Sequence, residues 1–542
     1  MRDIRTTYQL AYRVVGEEDE RVVRIDAHGF ARPAEDAQAL GLCVKTNRGD
    51  GYVTHRVMLA PTCEVELNRV VAVLQGVQLN KADALFLNGY NSWTDSVERS
   101  PLASMRGLSG VPLSVVVREV LDNSGDYRFV REDPRPGHQH GFGYGYVRRG
   151  DDVLLVGSLC EDSGMTLIRE DYRRDVLSLD KEPPQVALAP GEECEVMSFA
   201  VCTGTLDEAT DRWLDLAHIQ AMPAPGLVGF TSWYRHYANI SENKLLHDLS
   251  VVAKTLATRK LPGVRKVFQI DDGYAKVGDW LEPDERRFPR GMAYFAQECV
   301  QRGLVPGLWL APFLCEKESR VAREHQDWLL RDAQGELVAA AGNWSGAYAL
   351  DTLNPEVREH ITTFMSTVTR DWGFKLLKLD FLFGACLVAH GGKNRGQLMA
   401  DALDLLRAAV PEDVVFDLCG VPLTSAFGRT EYCRVGCDVG LDWDDVPYMR
   451  LLHRERVSTK RSLANTHGRA HLDGKVFRND PDVFFLRRDV KLSDEQRRRL
   501  LEADATLGGV FFTSDDIESW DEGRHATFER MLRQFVNKER RS

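Results

Sequence analysis

The sequence has no uninterrupted run of about 20 apolar residues, the length a helix needs to cross a bilayer. Its opening MRDIRTTYQLAYRVV also lacks the apolar centre of a secretory signal. A chain with no membrane partner and a cytoplasmic location is expected. An excess of basic charge is missing too: the formal net charge is −12, whereas a nucleic-acid surface needs clustered Lys and Arg to displace counterions. Basic groups such as RRFPR and NKERRS read as solvated faces. Nor is there a disulfide framework, because the eleven cysteines are odd in number and scattered singly, the pattern of reduced thiols. Cys433 and Cys437 have CxxxC spacing without a second pair or a nearby His to complete a zinc site, so no metal is expected. His138 and His140 in GHQHGFGYGYV fall in an alternation of Gly and aromatics that predicts a hairpin entering a strand.

What is present is an ordinary globular composition, 43% hydrophobic and 28% charged, over 542 residues, more than one hydrophobic core usually supports. Residues 1–205 carry short β-branched or alternating runs, among them GYVTHRVML, VLLVGSLC and CEVMSFAVCTG, punctuated by turn residues. They predict an antiparallel β-sandwich. A helical LDEATDRWLDLAHIQAM and the PAPG break make residues 206–226 a linker. Over 227–542 apolar strands alternate with amphipathic helices. Eight candidate strands lie at 227–233, 264–272, 304–312, 374–380, 413–420, 432–438, 461–468 and 508–516. The pattern predicts a (β/α)8 TIM barrel, with a doubly wound sheet as the alternative.

The candidate strands end in groups a purely structural strand would not select: Trp233 and Tyr234, Asp271 and Asp272, Trp309, Lys378 and Asp380, Cys419, Arg434 and Asp438, His467, Asp515 and Asp516. In a barrel these ends converge on one mouth, where active sites sit. Lys378 and Asp380 are two apart and point to one side of a strand. The ammonium would lower the carboxylate's pKa, which suits a nucleophile or an anionic stabiliser, though a buried ion pair has the same spacing. Asp438, four residues after Arg434, could be a general acid in a partly desolvated cleft or a helix N-cap. Glycoside cleavage needs two carboxylates with different jobs. Asp271 and Asp272 precede Gly273 and could form a turn. With Trp233 and Trp309 they could instead form a pyranose pocket, carboxylates taking hydroxyls and indoles covering the C–H face.

The runs FQIDDGYAKVGDW, RFPRGM, GLVPGLWLAPF, YALDTLNPEV, WGFKLLKLDFLFGA, LCGVPLTSAFGRTEYCRVGCDVGLDW and NDPDVFFLR, in this order over about 225–520, resemble the α-galactosidases (melibiases) of glycoside hydrolase family 36, clan D. NGYNSW, Asn88 to Trp93, is similar to the loop with which the family's N-terminal sandwich reaches its active site. The resemblance implies a retaining exo-α-galactosidase that works without metal or organic cofactor on a small carbohydrate, with Asp380 as nucleophile and Asp438 as acid/base. It implies that Asp271 and Asp272 hold O4 and O6, that Lys378, Arg434, Cys419 and Gly420 contact other hydroxyls, and that Trp233, Trp309 and Trp93 line the pocket. An α-N-acetylgalactosaminidase, another α-glycosidase or an α-galactosyl transferase would use the same machinery. A non-catalytic sugar-binding protein is disfavoured by the presence of both Asp380 and Asp438. The sequence departs from the family pattern at Tyr274, Asn91, LCGVPL and Cys437, and the helical end after Ser519 is expected to close the barrel. Oligomeric state is not written in it.

Overall fold

The computed structural model describes residues 4–105, 107, 124–256, 259–444 and 454–540. Strands alternate buried and exposed residues wherever one face meets a core: in Val65–Gln75, Val65 and Leu67 are buried while Glu66 and Asn68 face solvent. Seven antiparallel strands run Ala31–Arg32, Arg21–Ile25, Arg5–Val14, Val65–Gln75, Val176–Lys181, Thr166–Asp171 and His138–Phe142 across the first sheet. Six run Cys43–Gly49, Tyr52–Leu59, Cys194–Gly204, Asp152–Ser158, Tyr144–Arg149 and Ala84–Leu87 across the second. Leu10, Val65, Ile168 and Leu179 of the first form one apolar cluster with Val57, Leu59, Phe199 and Val201 of the second.

The expected hairpin at GHQHGFGYGYV does not form. His138–Phe142 and Tyr144–Arg149 belong to different sheets, and Gly143 between them has φ +74, where a Cβ would meet Thr424 Cγ2 at 2.4 Å. Gly143 therefore turns the chain from one sheet to the other beside the 3-10 turn Leu423–Ala426. The Leu206–Leu216 helix begins with a capping box between Thr205 and Glu208 and buries Trp213, whose indole N–H reaches Ser158 O at 2.9 Å.

From Gly226 a parallel sheet takes over. Its nine strands lie in the order Arg478–Asp480, Tyr432–Arg434, Val415–Leu418, Leu376–Leu379, Val305–Leu310, Val264–Ile270, Gly226–Thr231, Val510–Thr513 and Val483–Phe484. Its first and last strands are separated in the chain only by Pro481 and Asp482, and Gly509 N–H donates to Asn479 O at 2.8 Å. The sheet curls until both its edges meet one short stretch of chain. The amphipathic segments fold as the helices Glu242–Leu256, Gly291–Gln301, Pro355–Ser366, Arg395–Ala408 and Asp494–Leu507, although residues 257–258 of the first expected helix lie outside the described residues.

Seven of the eight expected strands are found where the apolar runs place them. The other, 461–468, is not a strand but part of the helix Thr459–Gly468, which starts where Ser458 Oγ accepts from Arg461 N–H. Its place is taken by Arg478–Asp480 and Val483–Phe484, too short and too polar to register as an apolar run. No described helix is long and apolar enough to cross a membrane.

Candidate active site

The site forms where the parallel strands end. Asp271 follows Val264–Ile270 and is the most fully bonded carboxylate there. Its Oδ2 accepts from Lys378 Nζ and from Gln269 Nε2, both at 3.0 Å, and its Oδ1 from Asp272 N–H at 3.0 Å. Lys378 reaches it across the intervening Val305–Leu310 strand. The two-residue spacing pointed to Asp380 as the partner of Lys378, but the ammonium is delivered to Asp271. Its field still lowers the pKa of Asp380; burial outweighs it, and the Asp380 carboxyl lies above the usual range.

Asp380 is buried and aimed by two donors. Trp309 Nε1 donates to Oδ2 at 2.9 Å and Phe381 N–H to Oδ1 at 2.9 Å; the Cys419 thiol beside it also favours the charged form. Its own N–H is fixed on Leu310 O at 2.8 Å. Phe381, next in the chain, has φ +54, a left-handed conformation that a bulky residue adopts only when its surroundings enforce it. The strained turn presents the carboxylate at the sheet's end.

Arg434, 2% exposed, divides its guanidinium among three carboxylates. Nη1 donates to Asp438 Oδ1 at 2.8 Å, Nε to Asp480 Oδ2 at 3.0 Å and Nη2 to Asp482 Oδ1 at 2.9 Å. Asp480 and Asp482 are buried, whereas the Asp438 side chain is 35% exposed. Asp438 is not a helix N-cap: its carbonyl accepts from Ser458 N–H, and Ser458 itself caps the next described helix. Asp438 is therefore the open carboxylate of this cluster, whereas Asp380 is enclosed. Asp438's charge also reaches Asp380 and pushes its pKa up.

Asp272 accepts from Trp344 Nε1 at 2.7 Å, and burial pushes its pKa up to about 6; the Trp344 hydrogen bond opposes this and the charge of Asp271 adds to it. Trp344 lies in the loop between Ala339–Ala341 and Ala347–Ala349, with its ring 6.1 Å from that of Trp309. Nothing in its local sequence marks it. Trp93 arrives from the antiparallel part of the chain, donating Nε1 to Cys419 Sγ at 3.0 Å and packing edge-on against Phe381. Beside it, Gly420 N–H donates to Ser92 Oγ at 2.8 Å. Gly420 has φ +59, and a Cβ there would lie 3.0 Å from the Trp93 ring and 3.1 Å from Phe381 Cα, so only glycine fits between them.

Trp233 adjoins the site through Ser232, whose Oγ accepts from Asp271 N–H at 2.9 Å. It begins the short helix Trp233–His236, its ring meets Tyr237 edge-on at 5.2 Å, and among the described residues no hydrogen bond or ring contact joins it to the carboxylates. Its neighbour Tyr234 does reach the cluster, donating its hydroxyl to Asp482. Asp515 serves structure: its Oδ2 accepts from Leu486 N–H, Arg487 N–H and Trp520 Nε1. His467 lies in the Thr459–Gly468 helix. Asp480 and Asp482 were visible only as the paired acids of NDPD ahead of an apolar run.

The Melibiase family model matches residues 237–387, the segment that carries Asp271, Asp272, Trp309, Trp344, Lys378 and Asp380. The structure of TtGalA, an α-galactosidase from Thermus thermophilus in complex with stachyose, is similar over 97% of this chain and 99% of that one, with a TM-score of 0.73 and 27% identity. The chain is a relative of the α-galactosidases.

The same Thermus enzyme in complex with p-nitrophenyl α-D-galactopyranoside superposes with a TM-score of 0.71 at 28% identity, over 90% of this chain and 94% of that one. α-Galactosidase Mel36A of Lactobacillus acidophilus is 28% identical over 157 residues, which are 28% of this chain and 20% of that protein. The chain thus spans about a fifth of that curated α-galactosidase. Cys419, Arg434 and Asp438 lie beyond the melibiase-matched segment.

Proposed function

We propose that the chain is a retaining exo-α-galactosidase that releases terminal α-linked galactose from oligosaccharides or glycosides. The observation that carries this is the unlike pair of carboxylates. Asp380 is enclosed and aimed by Trp309 and Phe381, while Asp438 is open to solvent on a shared guanidinium. The first suits attack on the anomeric carbon, and the second suits delivery of a proton to the departing oxygen. Asp380 forms a covalent glycosyl-enzyme as the C1–O bond breaks and Asp438 protonates the leaving oxygen. Water then attacks C1, gives its proton to Asp438 and frees Asp380.

Asp271 and Asp272 are assigned to O4 and O6, and Lys378, Arg434, Cys419 and Gly420 to the remaining ring hydroxyls. Trp309, Trp93 and Trp233 line the pocket, Trp344 joining them. The curled nine-strand sheet is read as a (β/α)8 barrel over 227–542, closed through the 478–484 segment. The two antiparallel sheets are read as a sandwich over 1–205, with 206–226 linking them. The bound stachyose and p-nitrophenyl galactoside of the Thermus relative support the choice of sugar.

The test offers p-nitrophenyl α-galactoside, α-N-acetylgalactosaminide and α-glucoside to the wild type and to Asp380→Ala. Release from the galactoside should dominate and should be lost in the variant. Equal release by both proteins removes the nucleophile assignment, and preference for another sugar removes galactose. In Asp438→Ala, azide should restore turnover of the activated substrate by attacking the intermediate without base help.

A further inference from the structure

Asp482 occupies the two-residue break between Arg478–Asp480 and Val483–Phe484, where its φ is +85. L residues rarely adopt that conformation, and here it swings a carboxylate, 1% exposed, back under the site. Three donors meet it. Arg434 Nη2 donates to Oδ1 at 2.9 Å, Val439 N–H donates to Oδ2 at 2.9 Å, and the Tyr234 hydroxyl donates to Oδ2. Val439 directly follows Asp438, and Arg434 is the residue whose other nitrogen holds the Asp438 carboxylate. Asp480, just before Pro481, takes Arg434 Nε and accepts Asp482 N–H at 2.8 Å, so the guanidinium cannot rotate.

We infer that Asp482 is a positioning residue for Asp438, fixing the backbone that leaves it and sharing the charge of Arg434, the cation that touches it among the described residues. The inference rests on the reading of Asp438 as acid/base. An arginine paired with Asp438 alone would hold it ionised, and an ionised carboxylate has no proton to give. A second carboxylate on the same guanidinium takes up part of that positive field and leaves less of it on Asp438, the group that has to give up a proton in the proposed reaction. The groups facing Asp482 are Arg434, Asp438, Asp480, Lys378 and Tyr234, with Asp504 from the Asp494–Leu507 helix. Those facing Asp438 among the described residues are Arg434, Asp482, Tyr234, Asp380, Cys419 and Cys437. Burial pushes the Asp482 carboxyl up to about 7 against the pull of Arg434, and the charge of Asp438 adds to the rise.

The experiment is the pH profile of kcat/KM for Asp482→Asn and Tyr234→Phe, read with p-nitrophenyl α-galactoside and with an oligosaccharide whose leaving group is poor. At pH values where the 482 carboxyl, raised to about 7, is charged, Asp482→Asn leaves Arg434 to Asp438 and Asp480 alone, so the alkaline limb should move down by about one pH unit. Activity on the oligosaccharide should fall at least tenfold further than on the nitrophenyl substrate, and kcat should carry more of the loss than KM. Tyr234→Phe, which removes a donor from Asp482 and makes its charge less favourable, should move the limb the same way by a smaller amount. It keeps the test decisive if Asp482→Asn does not fold. An unmoved alkaline limb, or equal losses for both leaving groups, overturns the inference. A wild type that releases no galactose, or an Asp438→Ala variant that azide leaves unchanged, overturns the acid/base reading and this inference with it.

Discussion

Trp309 donates its indole N–H to Asp380 at 2.9 Å from the neighbouring strand, in a register that pairs Trp309 with Lys378. A hydrogen bond to a buried carboxylate favours its charged form, and in the proposed mechanism Asp380 must be charged to attack carbon. Trp309→Phe keeps an aromatic face and removes the donor. A hydrogen bond to a charged group contributes about 1.5–3 kcal/mol, so kcat/KM for p-nitrophenyl α-galactoside should fall by roughly one to two orders of magnitude. Asp380 would then titrate at higher pH, and the acidic limb of the profile should move upward. An unchanged limb would separate Trp309 from the ionisation of Asp380.

Lys378 and Asp271 form a buried pair 3.0 Å apart, and each would be stranded without the other. Removing one partner of such a pair costs about 3–5 kcal/mol. Lys378→Met and Asp271→Asn should each lower unfolding free energy by about 3 kcal/mol in urea titrations, and the double variant should lose at least 1 kcal/mol less than the two singles together. Additive losses would show that the ammonium is compensated elsewhere.

The contrast between Leu376–Leu379 and Arg478–Asp480 explains how far the fold could be read beforehand. The first is an apolar strand into which one charge intrudes, so both the strand and its exceptional residue stand out. The second consists only of Arg478, Asn479 and Asp480, all buried, and is stabilised by partners distant in sequence: Glu539 for Arg478 and Arg434 for Asp480. Hydrophobic periodicity cannot see a strand whose interior is ionic. The error at 461–468 has the same origin, because that helix buries Ser462, Asn465 and Thr466 where an apolar stripe would have announced it. Among the site residues, those at strand ends were legible, and Trp344 was not, since a loop brings it in from outside the strand pattern. Lys378 and Asp380 both stand at the strand's end but are not bonded to each other, because sequence spacing fixes the side of a strand and not the neighbour across the next one.

Asp272 carries a carboxyl pushed up to about 6, chiefly by burial, with Trp344 opposing and the charge of Asp271 assisting. Only its ionised form can accept hydrogen bonds from hydroxyls with both oxygens. KM should therefore rise as pH falls through about 6, and Asp272→Asn should have a weak, flat KM over that range. The stability effect has the opposite sign. Because the folded pKa lies above the unfolded one, the fold takes up a proton between about 6 and 3.8, and this group favours folding more as pH drops through that window. Thermal melts of the wild type and Asp272→Asn at pH 7 and pH 5 measure the difference. A wild type that loses more stability on acidification than the variant would contradict it.

Arg469 is fully buried, and among the described residues its hydrogen bonds go to neutral acceptors: Asn88 Oδ1 from both Nε and Nη2, Ser92 O at 2.7 Å, Val435 O at 3.0 Å and Asn91 O at 3.1 Å. Burial lowers its pKa to about 10, so the fork of donors is what the position uses. Three of its acceptors belong to the loop that carries Trp93, and the fourth lies three residues before Asp438. The guanidinium thereby ties the loop to the end of the Tyr432–Arg434 strand. Arg469→Lys keeps a positive charge but offers one nitrogen where three are needed, leaving at least two buried acceptors unsatisfied at about 1–3 kcal/mol each. The variant should lose roughly 2–4 kcal/mol of stability in urea. If it still folds, KM should rise more than kcat falls, because the loop and not the carboxylate pair has been loosened. A variant with unchanged stability would mean that water or a neighbour takes over those carbonyls, and a loss confined to kcat would place the effect at Asp438 instead of Trp93.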